Sequence, residues 1–299
     1  MQAQRQFLAA AAQSLLLPAL LLFVSLAAPA KADYTFATLD FPGAIQTWGS
    51  GNSNNGVAGG FIDADGNYHG WYIRNGSEMV QVDEPASGTF VTELNFINNS
   101  GTILGTYVSD KIRGFTLKDG VYTTLDIPGS SRTAPSMVND HGQVVGAWRD
   151  SSQARHGFVW DKGTFFLFDH PLANSMPAEG TYPGGLNDRG DIVGKYWNTA
   201  GVSHGFLRTS DGAYSDIDDP NGPGTTWPVT INNHGQIVGL YVDTSGNEHG
   251  FLLENGAFTT IDVPGATATD VESINERGDI VGQYFDVAGN GHGFIAIRN

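Results

Sequence analysis

Apolar positions in this chain come in short runs broken by small and polar residues, and none holds the spacing of an amphipathic helix for long enough to compete. Between residues 236 and 263 the run QIVGLYV is followed by the polar TSGN, then by GFLL, the turn ENG and the run AFTTIDV. β-Branched and aromatic residues fill the runs and Gly, Asn, Asp and Ser fill the breaks, a pattern that predicts successive β-hairpins. A shorter run, Val229 to Asn232, stands ahead of them and predicts a fourth strand.

This pattern is written six times. A Gly before an aromatic recurs at Gly70-Trp71, Gly114-Phe115, Gly157-Phe158, Gly205-Phe206, Gly250-Phe251 and Gly293-Phe294, at intervals of 44, 43, 48, 45 and 43 residues. His precedes it in five copies and Arg113 in the second. A second mark, Asp-x-Pro, begins at Asp40, Asp83, Asp126, Asp169, Asp218 and Asp262. Four strands in about 45 residues is the size of a propeller blade, which buries its faces only against its neighbours.

The two series are offset. The last His-Gly-Phe has no Asp-x-Pro after it, while the first Asp-x-Pro, ending FATLDFP, has no His-Gly before it. Pairing the first strand with the last copy makes good both deficits and leaves no open edge. The expected fold class is therefore all-β, a six-bladed β-propeller whose ring is closed by the N-terminal strand completing the last blade. Eight residues separate the aromatic of the first long strand from the His in five copies, and six separate Tyr107 from Arg113 in the second. Both intervals are even, so every side chain keeps its sheet face.

Residues 1–32 read as a signal peptide: Arg5, an apolar run from Phe7 to Val24, and a small-residue site at Ala30-Lys31-Ala32. The expected organisation is thus a leader over 1–32 and one propeller domain over 33–299. The chain has no Cys, so an exported form is held by its core and its closure and not by disulfides. Loss of the leader removes Arg5 and Lys31 and no acid, which takes the formal net charge from -16 to -18. Nucleic acid and anionic membranes are poor partners for such a surface.

The chemistry-bearing residues mostly have scaffold readings. One His per copy, spread around a ring, suits a cross-strand hydrogen-bond partner and not a metal centre. Asp63-Ala64-Asp65-Gly66-Asn67 resembles the start of a calcium loop but lacks the distal Glu, and its equivalents at Asp243 and Asp286 read as turn chemistry. No cofactor or resident metal is expected, with calcium the one ion that has a sequence signal. Asp-x-Pro reads as the end of an edge strand, where Pro is tolerated. There is no Gly-x-Ser-x-Gly, no His-Glu-x-x-His, no phosphate loop and no cysteine nucleophile.

Positions that differ between copies at one structural place are where a ligand can be read. Nine residues before the Gly of each turn lies a Thr: Thr47, Thr92, Thr133, Thr181, Thr226 and Thr269. The next position varies: Trp48, Glu93, Ala134, Tyr182, Trp227 and Asp270. If these crossovers border one mouth of a central channel, three aromatic rings and two carboxylates face it, a combination suited to carbohydrate. The alternative is that the aromatics pack between blades. The longest crossover, residues 170–185, adds Glu179 and several prolines and is the insertion expected to shape a rim.

With these residues in view the chain resembles the HAF family of extracellular repeat proteins, named for a His-Ala-Phe signature and built on tandem Asn-x-x-Gly-x-Val-Val-Gly units. Asn187-Asp188-Arg189-Gly190-Asp191-Ile192-Val193-Gly194 carries the likeness best, which spans about Asp33 to Asn299. The chain departs from it with Gly for Ala in the signature, with Arg113, and with Asn52-Ser53 in the first copy. The resemblance implies an exported protein and transfers no catalytic residue.

The reading is therefore a secreted or periplasmic binding module, a monomer, with an extracellular glycan or protein as partner and Trp48, Glu93, Tyr182, Trp227, Asp270 and Glu179 as candidate ligand-binding residues. The competing class is an enzyme, a polysaccharide lyase or glycoside hydrolase using Glu93, Asp270 or Glu179. A third is a structural extracellular protein with no small-molecule site.

Overall fold

The computed structural model describes residues 34–86 and 88–299. The expected leader lies outside the described residues. All regular structure in them is β-strand. Strand β1 (Tyr34–Leu39) is followed by unit one, made of β2 (Gln46–Ser53), β3 (Gly56–Ile62), β4 (Tyr68–Arg74) and β5 (Val80–Val82). Unit two has β6 (Val91–Ile97), β7 (Ile103–Val108), β8 (Ile112–Lys118) and β9 (Val121–Leu125). Unit three has β10 (Arg132–Val138), β11 (Val144–Arg149), β12 (Arg155–Asp161) and β13 (Thr164–Phe168). Unit four has β14 (Thr181–Leu186), β15 (Ile192–Trp197), β16 (Ser203–Arg208) and β17 (Tyr214–Ile217). Unit five has β18 (Trp227–Ile231), β19 (Ile237–Val242), β20 (Glu248–Glu254) and β21 (Ala257–Ile261). The last three strands are β22 (Ala268–Ile274), β23 (Ile280–Phe285) and β24 (Gly291–Arg298).

Successive strands of a unit pair antiparallel, and β1 pairs antiparallel with β24 from Tyr34↔Arg298 to Leu39↔Gly293, so unit six takes its fourth strand from the other end of the chain. Single parallel contacts, Tyr68 to Val91 and Ile112 to Arg132, link units one, two and three at their edges.

The repeated residues account for this arrangement. The aromatic after each Gly (Trp71, Phe115, Phe158, Phe206, Phe251, Phe294) is fully buried, so each copy contributes one ring to the core. The preceding Gly lets the next unit approach. A Cβ on Gly250 would stand 2.2 Å from Val271 Cγ2, and one on Gly114 2.5 Å from Pro135 Cγ. The recurring Thr is buried every time, and its Oγ1 accepts the N–H of the middle residue of Asp-x-Pro, as in Phe41 to Thr47 and Val263 to Thr269. It latches the crossover onto the strand that follows.

The first strand of every unit also carries a bulge three residues beyond that Thr, at Ser50, Asn95, Ser136, Gly184, Val229 and Glu272. At the opposite end of that strand the turn Asn does more than turn the chain. Asn98 Nδ2 donates to Asn139 O, Asn139 to Asn187 O, Asn187 to Asn232 O, Asn232 to Asn275 O and Asn275 to Ser53 O. Residues of all six units line the narrow space of about 30 Å³ beside this chain of amides. Units one and six also meet through Asn52 Nδ2 to Asp279 O and Asn52 N to Ser273 Oγ.

The histidines are bound into this scaffold. Nδ1 of His69, His156, His204, His249 and His292 lies 2.8 to 3.1 Å from a carboxylate oxygen of Asp83, Asp169, Asp218, Asp262 and Asp40, the Asp of Asp-x-Pro. Arg113 in the second copy reaches Asp126 and Asp110 in the same manner, its longer side chain suiting a turn two residues shorter. The calcium-like turns keep their oxygens occupied: Asp63 Oδ1 accepts from the N–H of Asp65 and Asn67, and Oδ2 from Asn67 Nδ2.

Candidate binding cavity

The six variable positions occupy one register. Each is the residue after the latching Thr and pairs with Gly60, Thr106, Ala147, Lys195, Leu240 or Gln283 on the next strand. At this end of units three to five lies a cavity of about 150 Å³. Tyr182 and Trp227 both line it, their rings meeting edge to face at 5.5 Å.

The other expected residues lie elsewhere. Trp48 crosses its own strand pair, over Gly60, where a Cβ would stand 2.3 Å from Trp48 Cζ2, and beside Tyr68 at 6.2 Å between ring centroids. Glu93 and Asp270 share the register but do not line the cavity. Glu179 acts through its main chain: its carbonyl accepts the N–H of Arg155 at 2.9 Å, and its side chain accepts from Asn174 Nδ2. The long crossover thus fastens to the start of β12 by the bridges Ala154↔Pro177 and Arg155↔Gly180 and holds Arg155 beside the cavity.

Besides Ala134, Ala147 and Trp148, the residues that line the cavity with Tyr182 and Trp227 are basic, and the repeat pattern gave no notice of these. Arg132, Arg149, Arg155 and Lys195 all border it, in a chain of formal net charge -16. The Arg155 guanidinium lies 4.6 Å from the Tyr182 ring centroid, and Lys195 Nζ lies 3.6 Å from that of Trp227. One face of each aromatic is therefore covered by a cation. Burial, and then Arg155, push the Lys195 ammonium down to about 8. Burial lowers Arg155, with Arg149 and Arg132 acting in the same direction. Three N–H donors around the cavity, Trp148 Nε1, Arg149 Nε and Trp227 Nε1, are buried without an acceptor. Such donors are costly to leave unmatched.

A second group of unusual side chains belongs to unit six. Burial, then Glu248, push Asp270 up to about 7, and burial, then Asp270 and Glu248, push Glu272 on the bulge up to about 7. Glu93 is also raised by burial, against the opposing pull of Arg132. One end of the structure thus carries basic residues on units three and four and acids that burial pushes upward on units two and six. Among the described residues no group of three or more His, Asp or Glu side chains is placed to hold a metal ion.

No protein-family model and no curated protein matches the chain. Solved structures do. TolB from Acinetobacter baumannii superposes with a TM-score of 0.57 at 10% identity, over 81% of this chain and 64% of that one. A gluconolactonase from Xanthomonas campestris gives 0.52 at 12% identity, over 89% and 90%, and AofleA from Arthrobotrys oligospora gives 0.52 at 13%, over 92% and 90%. At these identities the likeness concerns the fold alone, which is all-β and propeller-like.

Proposed function

We propose that the protein is an exported HAF-type binding module, a ring of six blades closed by its first strand, that recognises a glycan in the cavity between units three and five. The β1 to β24 pairing and the chain of turn amides running from unit two to unit one support the ring. The observation that carries the binding function is the cavity itself, where two aromatic rings stand beside the side chains of Arg132, Arg149, Arg155 and Lys195. A sugar offers apolar C–H faces to rings and hydroxyl oxygens to donors, which is the complement of that lining.

A glycan array tests this. Wild-type protein is expected to retain a subset of glycans, and Trp227→Ala to lose them by about tenfold or more, in line with removal of a buried aromatic anchor. An array with no retained glycan removes the proposal.

One observation favours a second reading, a polysaccharide lyase or glycoside hydrolase: Asp270 and Glu272 are both held near 7, the range of a general acid at neutral pH. Release of reducing ends or unsaturated products by the wild type, abolished in Asp270→Asn and Glu272→Gln, would establish that reading.

A further inference from the structure

The basic lining has a feature that the glycan reading does not use. Arg132, Arg149 and Arg155 stand directly opposite one another across three neighbouring strands, Arg132↔Arg149 and Arg149↔Arg155. Like charges placed opposite in a sheet repel. Lys195 joins them from unit four, beside Arg155 in the same cavity. Several cations elsewhere are answered, Arg113 and Lys111 by Asp126, Arg277 by Asp279 and Arg298 by Glu254, and the described cations outside this cavity that form no ion pair, Arg74, Lys118, Lys162 and Arg208, do not line one cavity together. Among the described residues no carboxylate forms an ion pair with any of the four, although the chain has 31 acidic residues to choose from.

Glu93 acts on Arg132 and Glu248 on Lys195 through charge alone, without an ion pair, so half-buried and mutually repelling cations around one cavity still make a site short of contacting negative charge. A guanidinium offers a planar fork of N–H groups that matches the two oxygens of a carboxylate or two of a sulfate, and a charge-assisted pair of that kind is stronger than a bond to a neutral hydroxyl. The volume, about 150 Å³, fits a single sugar ring with its substituents; by the space one water needs it would hold on the order of ten waters.

We infer that the ligand of this cavity is an acidic sugar, whose ring lies against Tyr182 and Trp227 while an oxyanion substituent is held by Arg149, Arg155 and Lys195. The inference rests on the glycan reading and narrows it. Binding discharges the repulsion among the cations, so charge recognition and fold stability are coupled at this site.

The test is calorimetric titration of the full-length mature protein with a uronate oligosaccharide, a sulfated oligosaccharide, a neutral oligosaccharide of the same linkage, and inorganic sulfate. One of the two acidic sugars is expected to bind at least about tenfold more tightly than the neutral one, the margin of a charge-assisted bond over a neutral one. Which of the two it is identifies the oxyanion. Arg149→Gln and Lys195→Met are expected to erase that margin, and also to raise the melting temperature of the ligand-free protein because each removes part of the repulsion. A merely structural role would lower it. Equal affinity for acidic and neutral sugars overturns the inference and leaves the glycan reading standing. Binding of inorganic sulfate as tight as that of either acidic sugar overturns it in favour of a plain anion site, and binding of none of the four overturns both.

Discussion

At the residue scale one electrostatic contact recurs in four of the units, a His between two acids, while His204 has Asp218 on one side and Asn198 on the other. His249 has Asp262 at 2.9 Å on Nδ1 and Asp243 at 3.5 Å on Nε2. Burial by itself would lower the imidazole, but the hydrogen bonds and charge of Asp262 and Asp243 outweigh it and leave it raised, and His69 behaves likewise with Asp83 and Asp63. A pKa raised on folding stabilises in full below the unfolded value of about 6.5 and is lost as pH rises through the folded value. Scanning calorimetry should therefore show His249→Gln melting below the wild type at pH 6, with the gap narrowing at pH 8. A gap that widens with pH would contradict the clamp. The recurrence of His marked it as scaffold from the sequence. Its partner was not legible, because Asp262 lies 13 residues away and meets it only when β20 and β21 pair.

At the element scale the first strand of each unit does most of the positioning. Its buried Thr fixes the crossover, the next residue is the one that varies between copies, and the bulge follows. From the sequence only the recurrence of the Thr and the variation of the residue after it were readable; the hydrogen bond that the Thr accepts and the bulge depend on how the crossover folds back onto the strand. In unit five, Thr226 Oγ1 accepts from Asp219 N at 2.8 Å. Thr226→Val keeps the shape but leaves that buried N–H unmatched, so chemical denaturation should show a loss of about 1–3 kcal/mol, while Thr226→Ser should cost less. The same comparison of copies held an unread signal. The strand-end positions filled by Gln46, Ile62 and Tyr68 in unit one and by Val91, Val108 and Ile112 in unit two are filled by Arg132, Arg149 and Arg155 in unit three. Comparing only the column after the Thr missed them, since the three arginines converge through strand register.

At the scale of the whole molecule, the two ends of the described chain are joined in one sheet. β1 covers the edge of β24 along its length, from Tyr34↔Arg298 to Leu39↔Gly293. A chain truncated to begin at Asp40 exposes that edge and removes the buried Leu39 and Ala37. Its melting temperature should fall by several degrees, as loss of a few kcal/mol does in a domain of this size, and size-exclusion chromatography should show self-association through the bare strand. A truncated chain as stable and as monodisperse as the parent would show that the end-to-end pairing is dispensable.

What the sequence determined by itself is the repeat, the order of strands within it, the face each side chain takes and the need for the first strand to join the last copy. These follow from local rules: alternation sets the face, turn residues set the hairpins, and an unpaired edge must find a partner. Only the tertiary structure decided which side chains share the cavity. Tyr182 and Trp227 meet there with Arg132, Arg149, Arg155 and Lys195, whereas Trp48 folds over Gly60 and the carboxyls of Asp270 and Glu272 gather on unit six. The physical reason is reach: a register position fixes where a side chain starts, but its length, its rotamer and the approach of the neighbouring unit fix where its charge ends.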